Sequence, residues 1–413
     1  MQSATYILAS LAAFGDTFAQ QLPQDPGVTG PPVDIVHLYN DLYPQGVAVS
    51  SSGRKFSSYA RALDPNNTAY TVAELIGEDH EVPFPSADFN KPPGGPINYT
   101  VSPAVGANDH DHLIGAQSVV VDPLDRLWII DTGRAITDNF TVVPASPGGA
   151  KLIGIDLTTN KTFKTIVFPP NVVYPDSYIN DVRFDLRRNV SGTSGQGVAY
   201  MTDSSPEGRN GIITIDLGTS ESWRHLDNTL QVTSEPGFVP IIWGEAIYNI
   251  DTNTGRLLQS SFGSDGIALS ADGDTLYWCP IGSRTLYSIP TARLRDRGPT
   301  SELMAQQSVV SHGQKGISDG LETDSNNRIY IGDIEGNGIN IFHPNNGSLT
   351  VYVRDPRIAW PDTFSVTEDG YIYWVNDQYW RTPTFYPQTD RREKPFTLMR
   401  VKCPDGGKKV LLK

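Results

Sequence analysis

What this chain lacks narrows its chemistry first. It has no G-x-S-x-G elbow, no H-E-x-x-H pair, no phosphate-binding loop and no dinucleotide fingerprint set in a βαβ unit. Covalent and redox machinery of the familiar kinds is therefore absent, and any catalysis must rest on binding, orientation and acid–base help. Only 2 cysteines occur, Cys279 and Cys403, and no histidine pattern accompanies either, which removes a catalytic thiol. No apolar run is long enough to span a bilayer. Positive charge is scarce: 32 Lys and Arg against 46 Asp and Glu leave a formal net charge of -14, which argues against nucleic acid and anionic membrane as partners. Helical periodicity is missing after the N-terminus, and no linker or low-complexity tract divides the 413 residues.

What is present is a phrase written six times, beginning at Gln45, Gln117, Asn180, Asp265, Asp319 and Asp362. Each copy is a polar residue, a short alternating strand, a turn of Gly, Asp or Asn, and a second strand rich in aromatic and branched residues. Hairpins such as Lys151–Phe163, Ala246–Leu257 and Gly338–Leu349 supply the outer strands. Unequal units with a shared motif predict an all-β, six-bladed β-propeller, a single domain over residues 20–413. Pro92–Pro96 reads as a long inter-strand loop.

The first residues read as a signal peptide, 1–19, with a short apolar run and small residues before Ala19. A disordered or buried N-terminal strand is the alternative. Glycosylation sequons begin at Asn66, Asn98, Asn139, Asn160, Asn189 and Asn346. Together they predict a secreted protein or one of the secretory-pathway lumen. In that compartment Cys279 and Cys403 read as one disulfide tying the C-terminal tail to the body, with two separate buried thiols as the alternative.

In a propeller the innermost strands line the channel, so their polar first residues converge at one mouth. Asn180, Asp265, Asp319 and Asp362 are the candidate catalytic residues there, and Gln117 and Asp181 candidate substrate contacts. The competing reading is that Asp and Asn at strand starts cap backbone N–H groups. Oxygen ligands of this kind suit a hard cation such as calcium, but no metal ligands are assigned and no cofactor is expected. His110 and His112 lie in a loop with no third ligand in view. Aromatic residues near the C-terminus, Tyr379, Trp380 and Phe385, read as pocket walls, with Arg381 as a polar anchor and Trp243 in a similar role. Inter-blade packing is the alternative for these rings.

Four stretches carry a resemblance: Gln117–Gly133, Pro147–Leu157, Tyr178–Asp185 and Ala199–Ser204. They are similar to the yellow / major royal jelly protein family, from about His37 to about Cys403. The resemblance implies secretion, a six-bladed propeller and a ligand pocket at the channel mouth. Related lactonase-type propellers hold a divalent metal on channel-mouth Glu, Asn and Asp; Asn180 and Asp265 match that pattern, without a Glu partner. The family leaves the activity open. The reading adopted is a pathway enzyme of secondary metabolism acting on a small hydrophobic or quinone-like molecule. Its cofactor-free cyclisation would resemble the hetero-Diels–Alder coupling of a tropolone quinone methide with a sesquiterpene. A dopachrome-type tautomerase, a non-catalytic small-molecule binder and a metal-dependent lactonase are the alternatives.

Overall fold

The structure is a computed structural model and describes residues 25–188, 190–251 and 254–413. The signal peptide and the sequon at Asn189 lie outside the described residues. Six four-stranded antiparallel sheets stand in a ring, a six-bladed propeller as expected. The inner strands are Gly46–Val49, Ala116–Val121, Ile179–Asp185, Ser264–Leu269, Leu321–Thr323 and Pro361–Val366, which place the six phrases around the axis. The N-terminal strand Asp34–Tyr39 closes the ring: it pairs with Phe396–Lys402 and becomes the outermost strand of the sixth blade. N-terminal and C-terminal strands thus share one sheet, which closes the ring by backbone pairing.

The phrase has a steric reason for its glycine. Inner strands crowd toward the axis, and a Cβ on Gly266 would stand 2.1 Å from the carbonyl oxygen of Asp319. A Cβ on Gly320 would stand 2.8 Å from that of Asp362. The aromatic second strands fill the spaces between blades: Trp128, Trp278 and Trp374 are fully buried, and Trp128 stacks on Phe184 of the next blade at 5.2 Å. Two short helices, Thr291–Arg295 and Ser301–Gln307, interrupt the fourth blade between its outer strands.

The cysteines correct an expectation. Both are free and buried. Cys279 packs between the fourth and fifth blades with Leu321 and Ile331, and its thiol faces the carbonyl of Ser318 at 3.6 Å. Cys403 packs in a different core with Trp374 and Met399. A whole blade separates them, so the tail is held by strand pairing rather than by a disulfide. Among the described residues no helix is long and apolar enough to cross a membrane.

Candidate functional site

The polar starts converge as expected. Gln117, Asn180, Asp265, Asp319 and Asp362 line one small cavity at the channel mouth, joined by Asp377, Tyr178 and Ser204. Leu63, Phe262, Ile281 and Tyr379 cover it. The space left is about 20 Å³, room for a water.

Hydrogen bonds set the geometry. The Asn180 amide donates to Asp265 Oδ2 at 2.5 Å and to Ser204 Oγ at 3.1 Å. Asp265 and Asp319 line the cavity close enough to interact: the contact raises the Asp265 carboxyl and lowers that of Asp319. Trp360 Nε1 donates to Asp319 Oδ2 at 2.7 Å. The Tyr178 hydroxyl donates to Gln117 Oε1 at 2.6 Å. Asp377 accepts from the Tyr43 hydroxyl at 2.8 Å and from the Tyr379 N–H at 3.0 Å. Asp362 accepts from the Thr363 N–H at 2.6 Å.

Electrostatics follows from burial. Desolvation raises the Asp265 carboxyl well above the usual range, and the Asp319 charge adds to it. Asp362 and Asp377 are raised well above it by burial, and the Asp319 carboxylate adds to the rise in each. Asp319 is also raised by burial, but hydrogen bonds from Asp265 and Trp360 pull it back. Burial thus pushes all four carboxyls toward the protonated form, Asp319 the least. The charge of the buried Lys315 also lowers Asp319. Among the described residues no three His, Cys, Asp or Glu side chains form a group that could hold a metal ion.

Other expected residues sit elsewhere. Asp181 points down the channel, where Arg183 Nη1 holds it at 2.9 Å. Trp380 is buried behind the mouth, parallel to Trp360 at 6.3 Å. Trp243 is 52% exposed and rests edge-on against Trp380 at 5.5 Å. Arg381 turns outward to Glu393 at 3.0 Å and stacks on Trp243, so it does not reach the mouth. His110 and His112 are engaged in their own loop, with the Gly148 carbonyl and with Asp109. Asp377, Tyr178, Trp360 and Phe262 belong to the site and were missed. Asp377 had a signal: it stands three residues after the second-strand aromatic Trp374, as Asp131, Asp203 and Asp333 do after Trp128, Tyr200 and Tyr330.

Comparison with known proteins agrees with this architecture. The family profile described as Major royal jelly protein matches residues 114–410. Major royal jelly protein 1 of Apis mellifera is 26% identical over 225 residues, 54% of this chain and 45% of its own length. Protein yellow of Drosophila madeirensis is 26% identical over 194 residues, 45% of this chain and 30% of its own length. The matched part thus spans less than half of either relative. A solved luciferin-regenerating enzyme superposes with a TM-score of 0.50 at 9% identity, covering 92% of this chain and 97% of its own. At that identity the likeness is one of fold.

Proposed function

This chain belongs to the major royal jelly protein family, and from that premise we propose that it is an enzyme isomerising a small quinone-like molecule by proton transfer at the channel mouth. The observation that carries the reading is the set of four carboxyls buried together inside an aromatic cover, all raised by burial and Asp319 the least. A charged carboxylate beside neutral carboxylic acids provides both halves of a tautomerisation. The Asp265–Asp319 pair, holding one proton and one charge, removes a proton from carbon. Neutral Asp362 gives a proton to the carbonyl oxygen, so the substrate gains one and loses one. Asn180 orients Asp265, and Trp360 orients Asp319. Tyr178, Phe262 and Tyr379 exclude water and supply flat faces for a ring.

The same neutral acid would polarise the enone of a quinone methide, so a cyclisation of the hetero-Diels–Alder kind is the second reading. The aromatic walls favour it. It ranks second because two reactants need the cover to open further than one ring does. The secretory reading is supported by four sequons on exposed turns, at Asn66, Asn139, Asn160 and Asn346.

Dopachrome, followed by its visible absorbance, tests the isomerase. The folded protein should speed its decay over buffer, and Asp319→Asn should slow turnover by about 10²–10⁴-fold. Binding without acceleration would leave a passive binder. Mass spectrometry of tropolone precursor and humulene, with and without protein, decides the second reading through product rate and stereochemistry.

A further inference from the structure

The mouth is nearly full, but the wall beside it is thin. Segment 61–68, a turn-rich connection in the first blade, has two faces. Leu63 lines the mouth, whereas Asp64, Pro65, Asn67 and Thr68 line a second cavity of about 390 Å³ on the same end of the propeller. The loop from Lys91 to Tyr99 and the pair Ala135 and Ile136 form its other sides.

The polar groups in this wall are already used. Arg61 donates to the backbone carbonyls of Asn67, Leu113, Ile114 and Asn90. Asp64 pairs with Arg392 at 2.7 Å. The Asn67 side chain exchanges hydrogen bonds with the backbone of Tyr43 and donates to that of Ala60. What remains to meet a ligand is Pro65, Pro92, Pro96, Ile97, Tyr99 and Ile136, with Lys91 and Asp138 exposed at the rim. Tyr99 is 70% exposed, so its ring is free to lie along a ligand in the groove.

We propose that this groove is the second half of the binding site. It takes the apolar body of the substrate, a hydrocarbon chain or an alicyclic ring system, while the oxygenated head reaches the Asp265–Asp319 pair, and Leu63 is the gate between the two. The inference rests on the mouth being the site, and it specifies the substrate class: one polar oxygenated ring joined to, or reacting beside, a hydrocarbon body. The fixed hydrogen bonds of Arg61 and Asn67 hold the ends of the segment. Passage then needs the half-buried Leu63 to turn and the backbone between those anchors to shift, without unfolding of the loop.

A series of 4-alkylcatechols (methyl, butyl, octyl) measures this by calorimetric titration of the full chain. In the wild type, affinity should rise with chain length, by up to about fourfold per methylene that becomes fully buried. Ile136→Trp fills the groove and should flatten the series to the affinity of 4-methylcatechol, with an unchanged thermal melt. A flat series in the wild type, or a slope that survives Ile136→Trp in a folded variant, overturns the groove. Dopachrome turnover is read separately. Its absence sinks the isomerase, and the slope against chain length still decides the groove.

Discussion

The two ends of the channel hold similar residues in opposite states. At the mouth, Asp265, Asp319, Asp362 and Asp377 are buried together, with Lys315 acting on Asp319 and Arg392 on Asp377 but no ion pair to any of the four among the described residues. Lower down, Arg183 meets Asp181 at 2.9 Å and Glu322 at 3.2 Å, and also donates to the carbonyls of Val182 and Leu321. The far end is then covered by the tail: Lys409, Val410 and Leu412 line it, the Leu186 N–H donates to the Leu412 carbonyl at 2.8 Å, and the Lys409 N–H to that of Thr367 at 3.1 Å. Burial is alike at both ends, but compensation is not. A compensated buried charge locks a structure, whereas uncompensated carboxyls keep protons they can give up. The difference assigns stability to the lower channel and chemistry to the mouth.

The largest effect should come from breaking the compensated end. Arg183→Met removes the ion-pair partner of Asp181 and Glu322, leaving Lys409 as a weaker neighbour of Glu322, at a cost of about 3–5 kcal/mol. Equilibrium unfolding in urea near neutral pH measures it. The loss should shrink as pH falls and the Glu322 carboxyl, which burial already raises, takes up a proton. A loss below about 1 kcal/mol at neutral pH would mean that the lower channel is not the strut it is taken for.

The contrast between the ends was only half legible in the residues. The repeated phrase marks every inner strand and its first polar residue, so the convergence of Gln117, Asn180, Asp265, Asp319 and Asp362 followed from topology alone. A second register was equally visible but ambiguous. Asp131, Asp203, Asp333 and Asp377 occupy one position of the repeat, with Ile281 in the fourth blade. Asp131 is matched by Lys151 at 3.0 Å and Asp203 by Arg224 at 2.8 Å; Asp377 has only neutral donors within hydrogen-bond reach. Which carboxylate finds a cation is decided by contacts far apart in sequence, and local pattern carries no trace of it. The aromatic cluster at Tyr379–Arg381 failed differently. It forms a single 3-10 turn, which sends Tyr379 into the mouth and Arg381 out to Glu393. Trp360, Phe262 and Leu63 come from unrepeated connections, where periodicity has nothing to say.

A middle-sized effect of opposite sign should appear at the mouth. Burial raises the folded-state carboxyl of Asp362 well above its unfolded value of about 4. Between those two values the folded chain keeps a proton that the unfolded chain releases. The stability linked to it is complete below about pH 4 and is lost as pH rises through the folded value. Asn cannot ionise, so Asp362→Asn should escape this loss. Relative to wild type it should gain about 1.4 kcal/mol at alkaline pH for each unit by which the folded value is raised, with no such gain below about pH 4. Urea unfolding at the two extremes measures the difference. A gain independent of pH would mean that Asp362 is not a neutral acid, and the mouth would lose its contrast with the lower channel.

The smallest effect tests what covers the mouth. Segment 235–262 leaves the propeller as two minimal hairpins and returns at Phe262, which lines the cavity. Trp243 pins it: its ring lies against Trp380 at 5.5 Å, with the Arg381 guanidinium over it at 5.2 Å. Its backbone sits at φ 52°, a conformation that favours glycine. Trp243→Ala removes the ring and keeps the strained backbone, so about 1 kcal/mol of local stability should go. Amide exchange across residues 241–250 should then speed by about fivefold, while the global melt stays within error. Trp243→Gly removes the same ring but relieves the backbone, so its exchange should be slower than that of the alanine variant. If the two variants exchange alike, the backbone term is negligible; if neither differs from wild type, the cover is held by the Ile241–Glu335 and Tyr386–Glu245 hydrogen bonds rather than by the tryptophan stack.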